Sequence, residues 1–220
     1  LSKEGHQLND GRYLMRRSHI HWFFCAVFCS VLTVSCAGTR MSQTWVDEAR
    51  RGKPVSDVLV IVIADKAKNR EAFEHKFVQQ LKAAGVEAVS STDVIPMPRD
   101  LKLEKDVILQ AVDKYGNDAV IISHLAGLDK KEVFTRTGPT HGGYYGYYGY
   151  AFNTVHAPGF YSEIATVRLE TNLYDVKTEQ LLWSGQSQSE DVQSINKLID
   201  EVIALVIKDL QKNKLLPTQG

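Results

Sequence analysis

An α/β fold on a mixed sheet, β-α-β-α-β followed by an antiparallel β-hairpin and a C-terminal helix, is predicted by three patterns in this 220-residue sequence. The run Asp57 to Ala64 (DVLVIVIA) is almost wholly β-branched or apolar, as a strand buried on both faces must be. Two stretches of helical periodicity follow, each closed by a glycine and each leading into another apolar run, which implies crossovers between parallel strands. Toward the C-terminus the period falls to two and then returns to 3.6, giving a hairpin and a closing helix. The composition suits one globular core, at 44% hydrophobic and 24% charged residues. With 26 basic and 26 acidic side chains there is no net field to attract a polyanion, so nucleic acid is not an expected partner.

Taken in order, residues 1–14 read as an untranslated or extraneous extension, because Met15, Arg16 and Arg17 supply an initiator and the positive start of an export signal. The apolar run Ile20 to Val34 is shorter than the roughly 20 residues of a membrane-crossing helix. Residues 15–35 are therefore expected to be a signal peptide. All three cysteines, Cys25, Cys29 and Cys36, lie in or beside it, which leaves the domain beyond without a cysteine pair and dependent on packing.

The segment Leu32-Thr33-Val34-Ser35-Cys36-Ala37-Gly38 resembles the lipobox of bacterial lipoproteins. Thr33 stands where leucine is usual, with Leu32 one place earlier, and the small Ser35 suits the cut. The resemblance implies a diacylglyceryl thioether on Cys36, cleavage before it and acylation of the new amino group; a thiol is the side chain nucleophilic enough for the first step. Two or more acyl chains, at about 0.8 kcal/mol per buried methylene, hold a protein stably on a membrane. Ala37 in place of aspartate after Cys36 implies sorting to the outer membrane, on its periplasmic face.

Residues 36–54 are polar apart from Trp45 and Val46 and are expected to be a tether, with Trp45 docking on the domain that spans 55–216; 217–220 form a tail. After the first strand, Phe73, Phe77, Leu81 and Ala84 mark a helix capped by Asn69 and ended by Gly85, and Val86 to Ser90 form a short strand. Pro96 and Pro98 punctuate a loop. Asp100 is placed to cap a second helix bearing Leu103, Val107, Ile108, Ala111, Val112 and Tyr115, which Gly116 ends before the strand Asp118 to Leu125. Ala165 to Tyr174 alternates in polarity, so one face of that strand is expected to be buried and the other half wet. Asp175 to Gln180 turns into Leu181 to Ser187, and Ile195 to Leu210 carries the stripe of the last helix.

This element order, with Asp175-Val176, Thr178 and Leu181-Leu182-Trp183-Ser184-Gly185 in the hairpin, resembles small bacterial outer-membrane lipoproteins of a largely uncharacterised family. It is also similar to the α/β domain shared by the N-terminal module of the Tol system's propeller protein, the curli secretion lipoprotein and the lipoprotein activators of penicillin-binding proteins. The likeness spans about Val55 to Leu216. It implies an adaptor or assembly factor rather than an enzyme.

Chemistry-bearing motifs are sparse. Residues 138–160 (GPTHGGYYGYYGYAFNTVHAPGF) hold five of the nine tyrosines, Tyr144, Tyr145, Tyr147, Tyr148 and Tyr150, among glycines. Glycine frees the backbone and tyrosine offers a flat apolar ring with a polar tip, so the segment is expected to be a loop, not a core helix or strand. Its tyrosines are the candidate partner-binding residues, or lie loosely on the domain. His75, His124, His141 and His156 have no metal-ligand spacing, and no metal or other cofactor is expected. His124 reads as a satisfied residue near a strand end and His75 as a solvated one. No G-x-S-x-G elbow occurs, and the turn after the first strand, Ala64 to Arg70, has no glycine to cradle phosphate. Lys66, Lys68 and Arg70 could hold an anion at a helix start but fit a solvated basic loop better. The expectation is a non-catalytic lipid-anchored envelope lipoprotein, bound to the membrane through acyl chains on Cys36 and to an envelope protein through the tyrosines. The alternative is a periplasmic glycan or small-ligand binding protein.

Overall fold

The computed structural model describes residues 38–217, apart from 97, 99–101, 128–141, 157–165, 191 and 193. The expected signal peptide, Cys36, Asp100, His141 and the two ends of the Gly/Tyr segment lie outside the described residues. The strands are β1 (Arg40–Val46), β2 (Asp57–Ile63), β3 (Glu87–Ser90), β4 (Ala119–Gly127), β5 (Thr166–Asp175) and β6 (Leu181–Glu190). The helices are α1 (Ala67–Ala83), a single turn α2 (Ser91–Val94), α3 (Lys105–Tyr115), α4 (Gly143–Val155) and α5 (Ile195–Lys212). One sheet in the order β1-β6-β5-β4-β2-β3 runs through the domain. Its β2, β3 and β4 are parallel, and β4, β5, β6 and β1 are antiparallel, so the mixed-sheet prediction holds.

Each sheet face buries its own core. On one, Val58, Val60, Val62 and Ile121 pack under Phe73, Phe77 and Leu81 of α1 and Val202, Ile203 and Val206 of α5. On the other, Leu59, Ile61, Val120 and Ile122 meet Ile108 and Val112 of α3 and Tyr144, Tyr147 and Tyr148 of α4. The unbroken apolar run of β2 thus serves both layers, as its composition requires. Gly85 (φ 82°) and Gly116 (φ 68°) adopt the left-handed conformation that stops α1 and α3. At Gly185 the reason for glycine is different: the Trp183 ring and the Met41 methyl fill the space a Cβ would need. That ring is fully buried and donates through Nε1 to Asp209 Oδ2 of α5 at 2.8 Å.

Four expectations are corrected. The tether 36–54 contains β1, which pairs with β6 from Arg40↔Gln188 to Val46↔Trp183 as an edge strand. Met41, Gln43, Trp45 and Val46 are its half-buried residues and Arg40, Ser42 and Thr44 its exposed ones, with Met41 and Val46 packed on one core and Trp45 on the other across a register shift. The half-wet face of β5 is buried at Glu170, Asn172 and Tyr174. The central part of the Gly/Tyr segment is helix α4, not a loop. Gly146 and Gly149 disfavour a helix by about 1 kcal/mol each relative to alanine. Burial of Tyr144, Tyr147 and Tyr148 outweighs this, at about 1.5–3 kcal/mol for each large side chain. Asn69 also does not cap α1, whose first turn follows Lys66 without a side-chain cap; its Nδ2 instead donates to Asp65 at 3.4 Å.

Candidate functional site

Two buried polar clusters stand out, and their hydrogen bonds assign them different roles. The first is at the end of β3. Pairing of β2 with β3 stops at Val60↔Ser90, leaving Val62 N–H without a strand neighbour on that side. Glu74 of α1 fills the place. Its Oε1 accepts from Val62 N at 2.8 Å and Arg70 Nε at 2.9 Å, and its Oε2 from Ser90 Oγ and Thr92 N at 2.8 Å. Ser91 Oγ donates to the same carboxylate and accepts from Arg70 Nη2 at 2.7 Å. Arg70 and Glu74 are 2% and 0% exposed, so this is a desolvated ion pair with its lone pairs filled. Arg70 therefore leaves the basic group expected around the start of α1, while Lys66 and Lys68 stay exposed. A carboxylate so fully occupied serves the backbone, not a substrate.

The second cluster lies on the face of β1-β6-β5-β4 shared with α4. Directly paired antiparallel residues point to the same face, so the register arranges it in rungs. Arg40, Gln188 and Arg168 form one; Gln43, Gln186, Glu170 and His124 the next; Trp45, Ser184, Asn172 and Ile122 the third. Tyr174 then begins the apolar end, opposite Val120. The surface grades from charged and amide groups to hydroxyl, aromatic and aliphatic ones. Its centre is buried, with Asn172 and Ser184 at 0% exposure, and its rim of Gln43, Trp45, Arg168 and Gln188 is half-buried.

Helix α4 closes one side. Tyr147 Oη donates to Glu170 Oε1 at 3.1 Å and lies 3.1 Å from His124 Nδ1. With the phenol O–H directed at the carboxylate, His124 Nδ1 faces the phenol oxygen. Asn172 Nδ2 donates to the same Glu170 oxygen at 3.2 Å, and Ser42 Oγ donates to Gln186 Oε1 at 3.3 Å. Two atoms of this face have no hydrogen-bond partner although buried: Asn172 Oδ1 and Ser184 Oγ, which are cross-strand neighbours.

Of the expected partner-binding tyrosines, Tyr144, Tyr147 and Tyr148 are buried; Tyr148 Oη accepts from Leu103 N at 2.6 Å. Burial, followed by the charge of Glu179, raises the Tyr144 phenol above its ordinary value. Tyr145 is half-buried and Tyr150 43% exposed, so these two reach the surface. His124 is buried on the polar face, His75 is exposed on α1 beside Asp93 at 2.8 Å, and His156 is exposed after α4. Among the described residues no group of His, Cys, Asp and Glu could hold a metal ion, and no helix is long and apolar enough to cross a membrane. Glu74, Glu170, Asn172 and Ser184 escape motif reasoning. A signal for Glu74 does exist, since Arg70 and Glu74 sit on the same helix stripe as Phe73 and Phe77.

No family model matches the sequence, and no curated protein matches it. Among solved structures the chain is similar to a PelC dodecamer variant from Paraburkholderia phytofirmans, at 11% identity and a TM-score of 0.43, over 82% of this chain and 99% of that one. It is also similar to a second PelC dodecamer structure from the same organism, at 11% identity and a TM-score of 0.41, over 82% and 98%.

Proposed function

We propose that the chain is a lipid-anchored, non-catalytic envelope lipoprotein, acylated on Cys36 and held at the periplasmic face of the outer membrane, where it acts as an adaptor or assembly factor. One observation supports this reading most: β1 begins at Arg40, four residues beyond Cys36. At roughly 3.5 Å per extended residue, a leash of on the order of 14 Å replaces the long tether expected from composition. Acyl chains on so short a leash confine the domain to the membrane surface and raise its effective concentration for partners there. Thr39 adds to the hold on the domain side, with Oγ1 donating to Glu201 Oε2 of α5 at 2.6 Å; this bond, more than any nearby charge, keeps the Glu201 carboxyl below its ordinary value.

The protein partner meets Tyr145 and Tyr150, the two α4 tyrosines that reach solvent. Cys36→Ser tests the anchor: the variant is expected in the soluble periplasmic fraction without acyl label, and a variant that remains membrane-bound contradicts the reading. Deleting the Gly/Tyr segment would remove a core helix, so the interface is tested with Tyr145→Ala and Tyr150→Ala. Loss of crosslinked partner with unchanged melting is the expected result. Unchanged recovery discards these rings as the interface.

A further inference from the structure

We propose that β1 is a releasable strap, which unpairs from β6 while the rest of the sheet stays folded and so lengthens the leash between Cys36 and the domain. Its effect on the leash rests on the acylation of Cys36 proposed above. No residue of 38–54 is fully buried. Each of the strands β2 to β6, in contrast, has at least two fully buried side chains. Local opening begins in the segments with the least burial, which places residues 38–54 first. Only one row of ladder hydrogen bonds joins β1 to the sheet, because it is the edge strand, and its register breaks between Met41 and Gln43.

The strand beneath tolerates uncovering. Opposite β1 it presents Ser184, Gly185, Gln186, Ser187 and Gln188, whose hydroxyl and amide groups water can solvate. Apolar contact is confined to Met41 and Val46 on one core and Trp45 on the other, all half-buried. Trp183, opposite Val46, keeps its bond to Asp209 of α5 when β1 leaves. Side-chain latches hold the segment near its two ends: Thr39 Oγ1 on Glu201 at 2.6 Å and Arg50 on Asp175 at 2.7 Å, with Arg40 on Glu190 at 3.2 Å beside the first. The strap ends at Val55, which is 4% exposed and whose N–H donates to Leu215 O at 2.9 Å. With β1 paired, the leash runs from Cys36 to Arg40, on the order of 14 Å; released, it runs to Val55, on the order of 65 Å at roughly 3.5 Å per extended residue. The paired state keeps the domain at the bilayer. A partner lying farther from the membrane selects the released one.

The test uses the full chain with a reversible staple, Arg40→Cys together with Gln188→Cys, a directly paired couple at the start of β1. Hydrogen exchange is followed residue by residue in mild detergent. With the staple reduced, the β1 amides bonded to β6 are expected to exchange about 100-fold or more faster than those of β5, and oxidation is expected to slow them about tenfold or more while β5 is unchanged. Protection of those β1 amides within about tenfold of β5 means that β1 opens only with the whole domain and overturns the strap. Reach is read by single-molecule energy transfer on vesicles of phosphatidylethanolamine and phosphatidylglycerol, between a donor dye carried at Lys214 by an unnatural residue and acceptors on the headgroups. Reversible excursions to lower transfer are expected with the staple reduced and are abolished by oxidation. Excursions that persist after oxidation, or that occur in neither state, overturn the proposal. Protein that never joins the vesicles refutes the anchor alone, since exchange in Cys36→Ser protein, expected to match wild type, still reports the strap.

Discussion

The Glu74 cluster and the Asn172–Ser184 face are both polar, both buried and both attached to the same sheet, yet they differ in how far their hydrogen bonds are satisfied. Glu74 receives two backbone N–H groups, two serine hydroxyls and a guanidinium, and completes a sheet where β3 leaves it. The β5–β6 face instead carries two orphaned oxygens beside a satisfied Tyr147–Glu170–Asn172 chain. Burial of polar groups therefore does not by itself mark a functional site, and neither does a missing partner, since Arg50 Nε, Asn117 Oδ1 and Ser187 Oγ are also buried and unpartnered away from this face.

The contrast is broken most strongly at Glu74. Glu74→Ala leaves Arg70 buried without its counter-ion and frees two backbone donors, so chemical denaturation is expected to show a loss of about 3–5 kcal/mol. A loss below 1 kcal/mol would mean that water replaces the carboxylate. Tyr147→Phe removes the hydroxyl that joins His124 to Glu170 and should destabilise the fold by about 1–3 kcal/mol. An unchanged midpoint would show that α4 is held by ring packing alone.

Asp175 gives a third, pH-dependent handle. Burial opposes its ionisation, but hydrogen bonds from the Thr178 backbone and hydroxyl, together with Arg50 at 2.7 Å, prevail and hold the carboxyl below its ordinary value of 3.8. A depressed carboxylate contributes stability that is present above its unfolded pKa and is lost as pH falls through the folded one. Asp175→Asn should thus cost about 1 kcal/mol near neutrality, with the difference from wild type shrinking below about pH 4 in thermal melts. A constant difference across that window would assign the loss to the turn rather than to the charge.

Smaller effects sharpen the picture. Gly149 lies inside α4 with nothing within 4 Å of where a Cβ would stand, so Gly149→Ala should raise stability by about 0.5–1 kcal/mol. Gly143→Ala should do the opposite, because φ is 79° there and Glu179 occupies the space. Ser184→Ala is expected to change melting least, within about 0.5 kcal/mol or slightly upward, since it deletes an oxygen that bonds to nothing. A clear drop in melting temperature would show that the hydroxyl has a structural partner.

The sequence made the apolar architecture readable and concealed the polar one. Strand β2, the stripe of α1, and the stops at Gly85 and Gly116 follow from periodicity and backbone sterics and stand where predicted, while the stripe of α5 is buried from Ile199 to Leu210 and leaves its expected first member, Ile195, exposed. Helix α4 was concealed because glycine content argues locally for a loop, whereas Tyr144, Tyr147, Tyr148, Ala151 and Val155 follow helical spacing and are buried by tertiary packing. Strand β1 was concealed because the register shift between Met41 and Gln43 sends Met41 to one core and Trp45 to the other, which breaks the period of two. The orphaned pair Asn172 and Ser184 could not be seen at all, since it arises from cross-strand register, which no local pattern encodes.

The anchor is tested most directly by the intact mass of the protein purified from membranes. A polypeptide beginning at Cys36 and heavier by a diacylglyceryl group and an amide-linked acyl chain is the predicted result. An unmodified thiol at Cys36, or a chain that still carries residues 15–35, would contradict the account.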